Sequence, residues 1–201
     1  PFWAPGHKRL AHFAPRVMSR RMTQHRLLGI SGALRAASTN RKLVREAARL
    51  YGPAAYTEAD LRLPLYDGDL ESAEGIPGSV QSLADDIAAA DAVIISGPEY
   101  NKSISGVLKN ALDWVSRTKG NPWLDKPVAI MSAAAGRGGG ERTQFALRLC
   151  LVPFRPRLLQ GPEVMLAQSA QQFDDDGWLT NERTVDALTD LMQALKAEVG
   201  R

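Results

Sequence analysis

Residues 92–117, AVIISGPEYNKSISGVLKNALDWVSR, contain the strand, loop and helix that decide the fold. The unbroken apolar run at 92–95 predicts a strand that is buried on both faces, as the strands of parallel sheets are. Apolar residues at helical spacing between 104 and 117 predict a helix directly after the loop. A strand followed by a crossover helix is the repeating unit of an α/β protein with a parallel sheet.

The same alternation of strand and helix continues on both sides of this unit. Short apolar runs predict four further strands, at 27–30, 56–61, 128–131 and 164–166. Helical spacing predicts four further helices, at 39–51, 79–90, 140–151 and along an apolar stripe from 185 to 195, with a long loop at 63–78. The alternation predicts one doubly wound α/β sheet with helices on both faces. Such sheets bind ligands beyond the carboxyl ends of their strands, which points to the loops after strands one, three and four.

Length and residue counts exclude several classes of protein. A chain of 201 residues is long enough for one domain with a full hydrophobic core. Its single cysteine, Cys150, rules out an intramolecular disulfide and a cysteine-based metal cluster, and the expected compartment is the cytoplasm. The three histidines all lie within the first 25 residues, so the body of the chain has none for a catalytic triad or a metal site. No metal site is predicted.

Basic residues are concentrated near the N-terminus. Residues 1–45 hold ten of the 25 Lys and Arg residues and no acidic residue, which leaves 15 basic against all 22 acidic residues in 46–201. Because the body of the chain is acidic, the net charge of +3 does not indicate nucleic-acid binding. Residues 1–21 are interpreted as a disordered basic extension, or alternatively as a targeting or anion-binding arm, and residues 22–201 as the folded domain. No apolar stretch is long enough to span a membrane, and no membrane partner is expected.

The loop after the first predicted strand has the composition of a phosphate-binding turn. Residues 31–40, SGALRAASTN, are rich in small and hydroxyl side chains. Ser38 or Thr39 suits a helix cap, yet Arg41 and Lys42 occupy the first turn, where the helix dipole favours negative charge. A phosphate would resolve that conflict, held by backbone N–H groups and the side chains of Arg35, Ser38, Thr39 and Asn40. The alternative is an ordinary cap with a solvated arginine.

The type of phosphate follows from what this turn lacks. A dinucleotide fingerprint needs three glycines at the turn, and a P-loop needs Gly-Lys followed by Ser or Thr. Neither pattern occurs in residues 29–40. The turn therefore favours a monophosphate.

The loop after the third predicted strand suits a flat heteroaromatic ring. Tyr100 lies at the ligand-facing edge, Pro98 stiffens the turn, and Asn101 and Ser103 supply hydrogen-bonding groups. Gly106 permits close approach of another backbone. The alternative is that Ser103 only caps the next helix and Tyr100 packs on the surface.

The loop after the fourth predicted strand, SAAAGRGGG at 132–140, contains four glycines in its last five residues. Glycines at this density indicate a backbone that approaches a ligand or stays mobile. Glu141 stands where a dinucleotide fingerprint would have its third glycine. Arg137 is a candidate for binding a phosphorylated co-substrate.

Together, three motifs resemble those of the NADPH-dependent FMN reductase family, the flavodoxin-like group that includes chromate, quinone and azo-dye reductases. They are SGALRxxSxN at 31–40, PEYNxSxxGxLKNALDW at 98–114 and GxxGGxR at 136–142. The resemblance covers residues 26–197, and the middle motif is the most specific. It implies a five-stranded sheet in the order 2-1-3-4-5 and FMN held without a covalent bond. It also implies hydride transfer from NADPH or NADH to flavin N5 and onward to quinones, free flavin, chromate or azo compounds.

The resemblance also supplies the candidate site. Because the flavin does the chemistry, no catalytic side chain is proposed. The candidate cofactor-binding residues are Gly32, Leu34, Arg35, Ser38, Asn40, Pro98, Glu99, Tyr100, Asn101, Ser103, Ala133 and Gly136, and Tyr100 and Arg137 are candidates for substrate binding. Two departures from the family pattern, Ala33 in the first loop and alanines at 133–135 in the fourth, remove side-chain hydroxyls and predict modest FMN affinity.

Two rival functions and the assembly state remain open at this point. A flavodoxin-type electron carrier would bind FMN but accept no hydride from NAD(P)H, and a regulator or scaffold would keep the fold without the flavin. The resemblance implies a homodimer or homotetramer that acts on small-molecule electron acceptors.

Overall fold

Strand β3 (Ala92–Gly97) lies at the centre of the sheet, and all six of its residues are buried. In the computed structural model, which describes residues 24–201, β3 pairs in parallel with β1 (Arg26–Ser31) on one side and β4 (Pro127–Ala133) on the other. β2 (Ala55–Glu58) pairs in parallel with β1. The chain thus runs outward from β1 to β2 and returns to β3 on the other side of β1, which places the switch point between β1 and β3.

The edge position beside β4 is filled by two short strands instead of one. β5 (Arg157–Leu158) pairs with the start of β4, and β6 (Met165–Leu166) pairs with its end. The sequence predicted a single strand at 164–166, which corresponds to β6. Pro162 lies between the two pieces, and proline lacks the N–H group that a continuous ladder needs. The observed order, β2-β1-β3-β4-β5, confirms the predicted 2-1-3-4-5 topology.

Six α-helices occur in the described part of the chain. They are α1 (Thr39–Tyr51), α2 (Gly68–Glu74), α3 (Gly78–Ala89), α4 (Gly106–Val115), α5 (Glu141–Leu151) and α6 (Glu182–Glu198). The prediction of an unbroken loop at 63–78 is wrong, because α2 lies within it. This helix has no buried residue, so it has no apolar stripe to show in the sequence, and Asp67 caps it by accepting a hydrogen bond from Asp69 N.

Hydrophobic residues cover the sheet on both faces. On one face, alternate residues of β1, β3 and β4 pack with α3, α4 and α5, as in the cluster of Ile30, Ile95, Ile130, Ile87, Leu108 and Leu147. On the other face, the intervening residues pack with α1 and α6, as in the cluster of Leu27, Ile94, Met131, Leu43, Leu188 and Leu195. Burial of both faces fixes the register of each strand and directs the loops to the ends of the sheet.

The predicted basic extension, residues 1–21, lies outside the described residues. Within residues 24–201, no helix is both long enough and apolar enough to cross a membrane. The same part of the chain contains no group of three or more His, Cys, Asp or Glu side chains placed to hold a metal ion.

Candidate functional site

The loop after β1, residues 31–38, lies at the carboxyl edge of the sheet and is fixed from three directions. Gly32 N donates a hydrogen bond to Ser96 O of β3 at 2.8 Å, and Ser105 Oγ donates to Gly32 O at 2.6 Å. From the segment after β2, Arg62 Nη2 donates to Leu34 O at 3.0 Å. These contacts hold the loop before any ligand binds, which lowers the entropic cost of binding.

The start of α1 presents free hydrogen-bond donors. Ser38 Oγ accepts a hydrogen bond from Asn40 N at 3.2 Å and caps the helix, as predicted for Ser38 or Thr39. The N–H groups of Thr39 and Arg41 donate no hydrogen bond to another described residue. Arg35, in the preceding loop, is exposed and forms no salt bridge within residues 24–201. Free N–H groups at a helix N-terminus beside an unpaired guanidinium suit an anion.

The two basic residues in the first turn of α1, Arg41 and Lys42, have partners within the protein. Arg41 Nε lies 2.7 Å from Glu58 Oε2, and Arg45 Nε lies 2.5 Å from Glu58 Oε1. Burial acts to raise the pKa of the Glu58 carboxyl, but hydrogen bonds from both arginines outweigh it and hold the pKa below its ordinary value. The Lys42 ammonium lies 5.5 Å above the centre of the Phe173 ring. The expectation that Arg41 and Lys42 require an external anion is therefore corrected, and the case for an anion depends on Arg35 and the free N–H groups.

Asn40 links α1 to two strands. Its buried Oδ1 accepts hydrogen bonds from Ser96 Oγ at 2.8 Å and Ala133 N at 3.0 Å, and its Nδ2 donates to Ala133 O at 2.9 Å. The side chain thus faces the ends of β3 and β4. The N–H and C=O groups of Ala133, another candidate residue, are therefore both hydrogen-bonded to the Asn40 side chain.

The loop after β3 forms a tight two-residue turn. Tyr100 N donates to Ser103 O at 3.0 Å and Ser103 N donates to Tyr100 O at 3.1 Å, while Asn101 and Lys102 between them have φ values of 48° and 69°. Tyr100 is 56% exposed. The cap of α4 is Ser105, whose Oγ accepts from Leu108 N, so the alternative in which Ser103 caps this helix is wrong.

Glu99 connects this turn to the start of α5. Its carboxylate accepts a hydrogen bond from Arg142 N at 3.1 Å and lies 3.6 Å from the Arg142 guanidinium. The adjacent Pro98 is buried. Glu99 therefore holds the loops after β3 and β4 together.

The loop after β4 is shaped by its glycines. Gly139 and Gly140 are buried with φ values of 60° and 89°, and Ser132 Oγ donates to Gly139 O at 2.8 Å. A Cβ atom on Gly139 would lie 2.6 Å from backbone atoms of Met165, so no other residue fits there without a shift. Gly136 and Arg137 lie on the exposed part of the loop.

A cavity of about 490 Å³ opens between the first loop and the start of α4, within the usual size range of ligand pockets. Four predicted residues line it, namely Gly32, Leu34, Arg35 and Tyr100. The sequence interpretation missed Leu63, Leu65, Ser105, Val107 and Asn110, which also line it. Leu65 is 81% exposed. An apolar residue in the expected loop at 63–78 was the feature of the sequence that could have indicated a ligand-contacting surface there. A larger cavity among the described residues, about 560 Å³, lies between α4 and the end of α5 and has none of the predicted residues in its lining.

The residues at this edge fit an FMN molecule. Arg35 and the free N–H groups of α1 match a phosphate monoester, whereas the apolar and aromatic wall of Leu34, Leu65 and Tyr100 matches a flat ring. Gly106 and Gly136 leave open space, because a Cβ atom on either would meet no atom within 4 Å. A parallel sheet in the order 2-1-3-4-5, with a first loop suited to an anion, is the arrangement of flavodoxin-like nucleotide-binding proteins.

Comparison with known proteins narrows this class to a family. A family model described as NADPH-dependent FMN reductase matches residues 25–171. An NAD(P)H-dependent FMN reductase of Pseudomonas aeruginosa is 42% identical over 178 residues, which cover 88% of this chain and 96% of that protein. A quinone reductase of Escherichia coli K12 is 38% identical over 168 residues, covering 81% of this chain and 89% of that protein. The chain belongs to the NADPH-dependent FMN reductase family.

A solved structure agrees with this assignment. A flavoenzyme NAD(P)H:acceptor oxidoreductase from Paracoccus denitrificans is similar with a TM-score of 0.78 and 32% identity, covering 87% of this chain and 97% of that one. The comparisons confirm the predicted fold, the oxidoreductase class, FMN as the cofactor and NAD(P)H as the electron donor.

Proposed function

We propose that this protein passes hydride from NAD(P)H, by way of FMN bound at the carboxyl edge of the sheet, to quinones. The observation that carries the proposal is the unpaired Arg35, which lines the 490 Å³ cavity and belongs to the loop that leads to the free N–H groups of α1. The similarity to a quinone reductase of E. coli supports quinones as acceptors. Free flavin, chromate and azo compounds are further acceptors to be assayed.

In this proposal the first loop holds the FMN phosphate. Arg35 donates charged hydrogen bonds to the phosphate, together with the N–H groups of Thr39 and Arg41 and the Thr39 hydroxyl, which also lies 2.9 Å from Ser169 Oγ. Ser38 and Asn40 fix the shape of this cradle, since Ser38 caps α1 and the Asn40 side chain is engaged with β3 and β4.

The loops after β3 and β4 would hold the flavin ring. Tyr100 and Asn101 would border the ring on the side of the cavity that Leu34 and Leu65 also line, and Gly136 with the backbone of Ala134 and Ala135 would border it on the other side. Pro98 and Glu99 set the distance between these loops, because Glu99 binds the start of α5. Bound FMN supplies the hydride chemistry, accepting two electrons from NAD(P)H and returning them to the acceptor.

Donor and acceptor are proposed to use one crevice in turn, between the Tyr100 turn and the glycine loop at 136–140. The fold has one switch-point crevice, and the flavin stores two electrons between visits. Arg137, exposed and without a salt bridge within the described residues, would bind a phosphate of the nicotinamide nucleotide there.

We further propose that the protein is a cytoplasmic homodimer or homotetramer. Phe145 and Leu149 on α5 and Val152 directly after it are 57%, 73% and 66% exposed at helical spacing, which supports burial of this face against another copy. The single Cys150 is consistent with a reducing compartment.

Stopped-flow and steady-state kinetics test the proposed activity. Anaerobic mixing of the FMN-loaded protein with NADPH should bleach the flavin absorbance before any acceptor is added. Initial rates at several quinone concentrations should then give parallel double-reciprocal plots, as expected for a ping-pong mechanism. Intersecting plots without anaerobic bleaching would contradict the proposal and favour a flavodoxin-type electron carrier.

A further inference from the structure

Lys102 occupies an unfavourable backbone conformation in the turn at 100–103. Tyr100 and Ser103 exchange both backbone hydrogen bonds, and both central residues have positive φ, 48° at Asn101 and 69° at Lys102. This is the type I′ arrangement, in which asparagine is common at the first central position and glycine at the second. A lysine at the second position therefore strains the backbone where glycine would not.

No contact within the described protein explains the lysine. Lys102 is exposed, and its ammonium forms neither a salt bridge nor a hydrogen bond with any residue in 24–201. By contrast, Lys109, on the following helix, lies 2.6 Å from Asp113. A strained residue without an internal partner is a candidate for a ligand contact when it also lies at the carboxyl edge of the sheet, which is true of Lys102 and not of the similarly strained and exposed Arg155.

The position of Lys102 in the fold indicates the class of its ligand, an anion at the carboxyl edge of the sheet. Its turn and the glycine loop with Arg137 follow adjacent parallel strands, β3 and β4, and the contact between Glu99 and Arg142 joins their bases. Glu99 is already paired with Arg142, so the turn carries a positive charge that nothing on it neutralises. Arg35 belongs to the first loop, where the proposed FMN phosphate lies, and so Lys102 is left for an anion that enters the crevice over the flavin.

We propose that Lys102 binds the 2′-phosphate of NADPH and sets the preference of this protein for NADPH over NADH. The inference rests on the proposed function, since it assigns a role at the same crevice. The 2′-phosphate is the chemical difference between the two nucleotides, and an exposed ammonium on a flexible stem is suited to bind it as a point charge. Arg137 would then bind the pyrophosphate, which both nucleotides contain.

Three variants of the full chain test this assignment. Lys102→Gln removes the charge and keeps the strain, whereas Lys102→Gly removes both. Arg155→Gly is the matched control, because Arg155 is also exposed and left-handed, with φ 54°, but follows α5 at the opposite edge of the sheet. The ratio of kcat/KM for NADPH to that for NADH should fall about five- to tenfold in both Lys102 variants and stay unchanged in Arg155→Gly.

Two further readouts separate this inference from the proposed function. Calorimetric titration of the FMN-loaded protein should show that Lys102→Gln weakens 2′,5′-ADP binding about five- to tenfold and leaves 5′-AMP binding unchanged. The thermal unfolding midpoint of Lys102→Gly should exceed that of Lys102→Gln, because glycine relieves the strain.

An unchanged ratio of kcat/KM for NADPH to that for NADH, or equal losses of affinity for 2′,5′-ADP and 5′-AMP, would overturn the assignment. If the unmodified protein oxidises neither nucleotide, the proposed function fails, and the 2′,5′-ADP titration still decides whether Lys102 binds this phosphate.

Discussion

The loops after β1 and β4 both join a strand to a helix at the carboxyl edge, but they are built in different ways. The first loop is held by contacts to β3, α4 and the segment after β2, and it presents one unpaired charged side chain, Arg35. The β4 loop ends in two buried left-handed glycines, and α5 has no side-chain cap. In the proposed site, therefore, the first loop contributes a side chain and a helix N-terminus, whereas the fourth loop, apart from Arg137, contributes the shape of its backbone.

The greatest loss of stability should follow from breaking the connection between the two loops. Asn40→Ala should lower the free energy of unfolding by about 3–4 kcal/mol, because it leaves Ser96 Oγ and both backbone polar groups of Ala133 buried without their partner. Urea denaturation of the FMN-free protein measures this free energy of unfolding. Asn181→Ala, which removes an exposed cap of α6, should cost only about 1 kcal/mol. A loss for Asn40→Ala no greater than for this control would show that the loops are not coupled through Asn40.

The second effect tests whether the β4 loop acts through its backbone. Gly139→Ala should destabilise the protein by about 2–3 kcal/mol, since alanine is strained at φ 60° and its Cβ would collide with Met165. Gly136→Ala, in the same loop but with nothing within 4 Å of the added Cβ, should change stability by less than about 0.5 kcal/mol. Denaturation of both variants gives the comparison, and equal changes would refute the backbone argument.

The third effect tests the side-chain character of the first loop. Arg35→Ala should weaken FMN binding by about 1.5–3 kcal/mol, the scale of a hydrogen bond to a charged group, and leave the stability of the FMN-free protein unchanged. Fluorescence titration and denaturation measure the two quantities. Arg155→Ala, an exposed arginine at the opposite edge, serves as the control. Unfolding of the FMN-free Arg35→Ala protein would identify Arg35 as a structural residue.

The smallest change in stability is expected from the ion pairs that join Arg41 and Arg45 of α1 to Glu58 of β2. Glu58→Gln should cost about 0.5–1 kcal/mol of stability at neutral pH, because the Arg41 and Arg45 pairs are partly screened by solvent. The folded-state pKa of Glu58 is lowered, so this stabilisation is present above the unfolded pKa and is lost as pH falls through the folded pKa. The free energies of unfolding should therefore differ at pH 7 and converge in acid, once the pH lies below the lowered folded-state pKa of Glu58. A difference that persists in strong acid would mean that the carboxylate charge is not its source.

The sequence predicted those parts of the molecule whose chemistry is local. The apolar runs of β1, β3 and β4 and the Ser38 cap are set by neighbouring residues, and the structure has them where they were expected. The pairing of Arg41 with Glu58 and the contacts of Asn40 with Ala133 join residues that are distant in the chain, so no local pattern could show them. Helix α2 buries none of its residues and left no apolar period to find.

The first loop is proposed to bind the phosphate of FMN. Titration of the FMN-free protein with FMN and with riboflavin, followed by flavin fluorescence, isolates this contribution, because the two ligands share the ring and differ in the phosphate. FMN should bind about 10- to 100-fold more tightly than riboflavin. Equal affinity for the two ligands would contradict the claim.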